Sequence, residues 1–153
     1  MPMKNEYEVR GYATVFDTPY CRYRDVKVEI WEQINRHAFD LTEMNNVPLL
    51  HDHEGKPLAE TNDGTLLLHL NEKGLFVVAD LSKTKESRHY ARMVKDRDIC
   101  NMSFAWTYDK NRTFWRMTER KGRLIIVYTI NRILELKDVT ITDTPANPDT
   151  IAL

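Results

Sequence analysis

The stretch Val47-Pro-Leu-Leu-His-Asp-His-Glu-Gly-Lys-Pro-Leu-Ala59 joins an apolar run to two histidines and a turn. The apolar run predicts a strand over residues 47–53, and Glu54-Gly-Lys-Pro predicts the turn that follows it. If the strand is extended to its end, His51 and His53 share one face while Asp52 points away. A histidine at such a strand end is a surface residue, a metal ligand or a catalytic base, and these residues alone leave all three readings open.

The rest of the chain is dominated by short segments with strand-like alternation. Strands are predicted over residues 7–16, 25–34, 65–70, 74–81, 99–108, 114–118, 124–130 and 132–142. The spacing of Tyr90, Met93 and Val94 predicts a helix over residues 84–96, and residues 36–44 resemble a short helix or helical turn. Many short strands with one or two helices predict a mainly β (α+β) fold, a barrel or sandwich with helices packed outside.

Composition narrows the class of protein. A length of 153 residues predicts a single domain over residues 1–153 with a sizeable core. The net charge of -1 argues against a nucleic-acid partner. No apolar stretch approaches the ~20 residues of a membrane span, and the N-terminus lacks the apolar core of a signal peptide. Cys21 and Cys100 form no paired motif, which fits a reducing cytosol.

A serine and a carboxylate on other predicted strands could act with a histidine. Ser103 lies in Asn-Met-Ser-Phe-Ala-Trp and Asp138 in Leu-Lys-Asp-Val-Thr-Ile. A serine hydroxyl attacks only when a base accepts its proton, and a carboxylate can orient that base. Taken singly, Ser103 is more typical of a small hydrogen-bonded strand residue and Asp138 of a surface carboxylate. Cys100 is three positions from Ser103 and is expected on the opposite face of the strand.

A metal site is the competing interpretation of the two histidines. His51 and His53 have the His-x-His spacing of a zinc pair. Candidates for a third ligand are Glu54, His69, His89 and Cys100, but none has a convincing spacing.

Taken together, six motifs resemble one known family over almost the whole chain. They are Gly11-Tyr-Ala-Thr-Val-Phe, Arg36-His-Ala-Phe-Asp, Pro48-Leu-Leu-His-Asp-His-Glu-Gly-Lys-Pro-Leu-Ala, Gly74-Leu-Phe-Val-Val-Ala, Asn101-Met-Ser-Phe-Ala-Trp and Leu136-Lys-Asp-Val-Thr-Ile-Thr-Asp-Thr-Pro-Ala-Asn-Pro. As a set they resemble the prohead maturation proteases of tailed bacteriophages, which share the fold of the herpesvirus assemblins.

The resemblance implies a fold and a set of site residues. The fold is an assemblin-like closed β-barrel surrounded by a few helices. The nucleophile falls on Ser103, the general base on His53 and the third triad member on Asp138, with no metal or cofactor. Asp138 stands where the family more often has glutamate, and Ala105-Trp106 stands where it prefers Gly-Phe. His51 stands where the family often has an aromatic or apolar residue.

The resemblance also implies a function. It predicts a serine endopeptidase that cleaves the scaffold or delta region of the major capsid protein, and itself, during capsid maturation. The portal protein is a further partner it suggests, together with a homo-oligomer and a location inside the assembling prohead in the host cytoplasm. Neither nucleic acid nor membrane is expected as a partner. Two alternatives remain at this level: a catalytically inactive capsid-assembly or scaffold protein of the same fold, and a His-x-His metal hydrolase.

Overall fold

The computed structural model describes residues 2–153, so only residue 1 of the predicted domain lies outside the described part. Eleven strands and one α-helix form the described fold. The strands are β1 (Glu8–Val15), β2 (Tyr20–Arg24), β3 (Val28–Ile34), β4 (Pro48–His51), β5 (Glu54–Glu60), β6 (Leu66–Leu70), β7 (Gly74–Asp80), β8 (Asn101–Tyr108), β9 (Thr113–Arg120), β10 (Arg123–Ile130) and β11 (Ile133–Thr142). The helix is α1 (Lys85–Lys95). The predicted mainly β class is therefore confirmed.

The strands form three sheets, with orders β1-β7-β6, β2-β3-β10-β9 and β5-β4-β11-β8. No closed barrel is found among residues 2–153, because each sheet ends in two edge strands. Of the two predicted helical segments only α1 forms a helix, because residues 36–41 form consecutive turns. No helix in residues 2–153 is long and apolar enough to cross a bilayer.

The third sheet is mixed, and β11 lies between two strands that precede it in the chain, β4 and β8. β11 pairs in parallel with β4 and antiparallel with β8. Its second half is buried, and Val139 and Ile141 belong to the hydrophobic core together with Leu49 of β4 and Met102 of β8. Burial of these side chains fixes the register of the sheet, because a slip by one residue would expose them.

Helix α1 covers one end of this sheet. Thr84 caps the helix, with its hydroxyl accepting a hydrogen bond from the Ser87 amide at 3.0 Å. The buried positions are Ser87, Ala91 and Val94. The spacing predicted that Tyr90 and Met93 face the core together with Val94, but the fully buried side chains are smaller ones. The Ser87 hydroxyl donates to the Leu58 carbonyl at 2.9 Å and ties α1 to β5.

The last residues of the chain bridge two sheets. The amide of Leu153 donates to the Arg10 carbonyl at 2.7 Å, and the amide of Ala152 donates to the Cys100 carbonyl at 2.9 Å. Gly11 makes this approach possible, because a Cβ at that position would overlap the Ile151 carbonyl oxygen. The C-terminal segment thus links β1 to the start of β8.

Candidate active site

All three predicted site residues belong to the third sheet or to a turn at its end. Ser103 on β8 lies directly opposite Thr140 on β11, so the two side chains project from the same face. Asp138 lies two residues before Thr140 in the same register and therefore shares that face. His53 lies in the turn between β4 and β5. The topology thus brings together residues that are far apart in the chain.

A β-bulge sets the direction of Asp138. The pairing of β11 with β8 shifts register between Leu136 and Asp138, which leaves Lys137 as the extra residue. Leu136 consequently packs in the hydrophobic core, whereas Asp138, two residues later, is turned toward His53. In a regular strand these two residues would point the same way.

The turn that carries His53 differs from the prediction. β4 ends at His51, β5 begins at Glu54, and His51 pairs with Glu54, so Asp52 and His53 alone form the connection. Their φ angles are 49° and 60°, in the left-handed region that two-residue hairpins require. The prediction of a strand through His53 with a turn at Glu54 is therefore wrong. His51 and His53 do not share the face of one extended strand.

Hydrogen bonds to β11 hold this turn in place. The His53 amide donates to the Thr140 hydroxyl at 2.9 Å, and the Asp52 amide donates to the Ile141 carbonyl at 3.2 Å. The Thr142 hydroxyl donates to the Asp52 carboxylate at 2.6 Å. A left-handed conformation at a residue other than glycine costs on the order of 1 kcal/mol or more, and such contacts offset that cost.

His53 and Asp138 are in direct contact. His53 Nδ1 lies 2.7 Å from Asp138 Oδ1, and the Asp138 side chain is only 10% exposed. An ionised carboxylate only accepts hydrogen bonds, so this contact is a hydrogen bond when Nδ1 carries the imidazole proton, and Nε2 is then the acceptor. The aspartate spans this distance although its side chain is one methylene shorter than the glutamate that the motif more often carries.

Ser103 and His53 line the same cavity, which has a volume of about 800 Å³. Ser103 is 8% exposed. Within residues 2–153 its hydroxyl makes no hydrogen bond to the imidazole, so the structure pairs His53 with Asp138 and leaves the serine in the wall beside them. Catalytic hydrogen bonds are often long without substrate and tighten when it binds. The arrangement can support acyl transfer once the serine and the imidazole meet.

Comparison with known proteins fits this geometry. A family model described as caudovirus prohead serine protease matches residues 2–153. The chain belongs to this family. No curated protein matches the chain, and no solved structure does. Membership confirms the resemblance drawn from the six motifs, and it assigns the chain to the serine proteases of phage capsid maturation.

In this prohead protease family member, His51 lies in a second cavity. Its Nε2 lies 3.2 Å from the Asp52 carboxylate, and its ring packs against Tyr90 with centroids 4.8 Å apart. It lines a cavity of about 310 Å³ with residues of β5 and α1. The premise of the metal interpretation, two histidines on one strand face, is absent. No group of three histidine, cysteine or acidic side chains suited to a metal occurs in residues 2–153.

The cysteine beside the serine motif also lies apart from the cavity of the prohead protease. Cys100 precedes β8, and its thiol donates to the Arg97 carbonyl at 3.1 Å. The other cysteine, Cys21, lines the cavity together with Arg22 and Glu32. This wall was not predicted from the sequence, because β2 is short, polar and largely exposed.

The wall formed by β2 and β3 is held by one buried tyrosine. Tyr20 donates its hydroxyl hydrogen bond to the Glu32 carboxylate, and Arg22 lies 3.6 Å from the same carboxylate. Burial, and next the charge of Glu32, raise the pKa of Tyr20 well above its usual value. The tyrosine therefore stays protonated and keeps Glu32 directed along the cavity wall.

Proposed function

We propose that this chain is an active serine endopeptidase of capsid maturation, with Ser103 as nucleophile, His53 as general base and Asp138 as the carboxylate that orients the base. The observation that carries the proposal is the 2.7 Å contact between His53 and Asp138 at the cavity that also contains Ser103. Membership of the prohead serine protease family supports the same reaction class.

The proposed reaction is acyl transfer. Ser103 Oγ attacks the carbonyl carbon of the scissile peptide bond, and its proton passes to His53 Nε2. The protonated imidazole then gives this proton to the leaving amine, and an acyl-enzyme remains on Ser103. His53 next accepts a proton from water, whose oxygen attacks the ester carbonyl carbon, and the imidazolium returns the proton to Ser103 Oγ as the ester bond breaks. Asp138 stabilises the imidazolium in both halves of the cycle.

The proposed substrates are capsid components. Family membership implies contact with capsid proteins. We assign the scaffold or delta region of the major capsid protein and the protease itself as targets, with the portal protein as a further partner. The chain acts as one domain over residues 1–153, as a homo-oligomer, inside the prohead assembling in the host cytoplasm. Confinement there raises the local concentration of substrate, so modest intrinsic efficiency suffices.

Co-expression with the scaffold-bearing major capsid protein tests the proposal. Ser103→Ala and His53→Ala are expected to abolish cleavage while proheads still assemble, as read by gel electrophoresis and mass spectrometry of the particles. His51→Ala is the matched control, because it removes a neighbouring imidazole from a different cavity. Cleavage that persists in Ser103→Ala would refute the serine mechanism. No cleavage by the unaltered chain would favour the inactive assembly protein.

A fluorophosphonate probe tests the nucleophile without any choice of substrate. Attack by Ser103 Oγ forms a bond to phosphorus and expels fluoride, and the serine proton passes to His53. Mass spectrometry is expected to locate the adduct on Ser103. An adduct only on another serine would contradict the assignment.

A further inference from the structure

Thr140 lies beside all three proposed catalytic residues, and its hydroxyl is hydrogen-bonded to the backbone of one of them, His53. The hydroxyl accepts a hydrogen bond from the His53 amide at 2.9 Å and donates one to the Leu50 carbonyl at 2.9 Å. Thr140 lies two residues after Asp138 on the same strand and directly opposite Ser103 on the neighbouring one. It is fully buried.

We propose that Thr140 is the positioning residue of the active site, which holds His53 in the orientation that reaches Asp138 at the cavity lined by Ser103. The inference rests on the proposed function and adds a residue to which no catalytic role has been assigned. Thr140 acts through the backbone of the base and takes no part in proton transfer.

The backbone conformation of His53 explains why such a residue is needed. With φ at 60°, His53 occupies a region that non-glycine residues rarely adopt. The direction of its Cα–Cβ bond, and hence the position of the imidazole, depends on this conformation. The bond from its amide to Thr140 holds the conformation at the residue itself. The contacts of Asp52 hold only the preceding half of the turn.

A hydroxyl suits this position because it donates and accepts at the same time. The Leu50 carbonyl accepts the hydrogen bond that the Thr140 hydroxyl donates, and this directs an oxygen lone pair of the hydroxyl toward the His53 amide. Valine has nearly the same shape but can do neither. The substitution would leave the His53 amide without its partner, and the turn would relax away from Asp138.

Three variants separate positioning from general stability. Thr140→Val removes the hydroxyl, and Thr140→Ser keeps it. Thr14→Val makes the same chemical change at another buried threonine, whose hydroxyl has no hydrogen-bond partner among residues 2–153. The rate of fluorophosphonate labelling at Ser103 and the cleavage of capsid protein report function. Thermal unfolding reports stability.

The expected result is a selective loss of rate. In Thr140→Val the limiting rate of labelling falls on the order of 10–100-fold while the half-saturating probe concentration changes little, because a misplaced base slows the reaction after binding. Thr140→Ser restores most of the rate, and Thr14→Val leaves it unchanged. Nitrogen NMR of the His53 ring supplies an independent signature: the Nδ1-protonated tautomer dominates in the unaltered chain and becomes mixed in Thr140→Val.

The outcomes distinguish this inference from the proposed function. If His53→Ala and Ser103→Ala abolish labelling but Thr140→Val, folded and stable, labels at the normal rate with the normal tautomer, Thr140 is not a positioning residue. If Thr140→Val lowers only the unfolding temperature, its role is structural and the inference fails. If Ser103→Ala still cleaves capsid protein, the proposed function fails, and the tautomer measurement still decides whether Thr140 orients His53.

Discussion

His53 Nδ1 lies 2.7 Å from Asp138 Oδ1 although 85 positions separate the two residues in the chain. The contact needs both a two-residue turn at the end of β4 and a bulge in β11. The turn and the bulge bring an imidazole and a carboxylate together at the edge of a cavity. β-Bulges and strained turns are often found beside active sites, where they redirect side chains.

Asp138→Asn is expected to lower the rate of capsid-protein cleavage on the order of 10⁴-fold with little change in fold, because an amide no longer enforces the Nδ1-protonated tautomer of His53. Steady-state cleavage and circular dichroism check the two parts of the prediction. Glu135→Gln on the same strand is the control, since it removes a carboxylate from an exposed position. A rate within tenfold of normal in Asp138→Asn would remove Asp138 from the mechanism.

The two cysteines offer a test of the cavity. Cys21 lines the same cavity as Ser103 and His53, whereas Cys100 lies outside it. In a Cys100→Ser background, a bulky maleimide at Cys21 is expected to reduce cleavage at least tenfold by blocking the approach of substrate. In a Cys21→Ser background the same reagent should leave cleavage intact. Full activity after complete labelling of Cys21, verified by mass, would show that substrate enters elsewhere.

Gly11→Ala is expected to destabilise the fold by about 3 kcal/mol, the cost of forcing atoms into a well-packed site. The added Cβ overlaps the Ile151 carbonyl oxygen, so the C-terminal segment must separate from β1. Gly64→Ala is the comparison: its Cβ meets open space, and only the left-handed backbone opposes it, at about 1 kcal/mol. Urea denaturation measures both, and equal losses would contradict the packing argument.

The Lys83–Asp63 ion pair predicts a specific acid titration. The hydrogen bond from Lys83 Nζ at 2.8 Å, supported by Thr65, lowers the pKa of Asp63 to about 2. An unfolded aspartate titrates near 3.9. The folded state is therefore favoured above about pH 4, and this contribution is lost as the pH falls from about 4 to about 2. Both side chains are exposed, so the effect is small.

Carboxyl NMR of Asp63 measures the shift directly. Lys83→Ala should return the pKa of Asp63 toward its usual value, whereas Lys85→Ala, which removes a charge from the same segment, should not. A pKa of Asp63 that is unchanged by Lys83→Ala would mean that the ion pair does not form in solution.

The pattern of apolar residues predicted most strands, and in β6 and β7 the alternation of buried and more exposed side chains follows it. β1, β6, β7, β10 and β11 lie close to their predicted ranges, and α1 lies within the predicted range of residues 84–96. β5 was missed because Gly55 and Pro57 favour turns. It is an edge strand, where proline is tolerated since one row of backbone groups needs no partner. β2 was missed for a related reason, as an exposed edge strand shows little apolar pattern.

The residues of the candidate site could be predicted only in part from the sequence. Ser103 and Asp138 lie on strands that the pattern predicted, but neither residue is distinctive alone. The Asp52-His53 turn has no local signal, because such turns usually contain glycine or asparagine, and only tertiary bonds to β11 stabilise it here. Thr140 lies in one of the six motifs, but the role of its hydroxyl becomes visible only in the structure, where β4, β11 and β8 are paired.

The central place of β11 in its sheet has a consequence for when the proposed site can form. β4 and β8 both precede β11 in the chain, and β11 lies between them in the sheet. A nascent chain that lacks β11 has no Asp138, no support for the histidine turn and no strand to join it to the serine. The proposed site therefore cannot form before β11 has taken its place between β4 and β8.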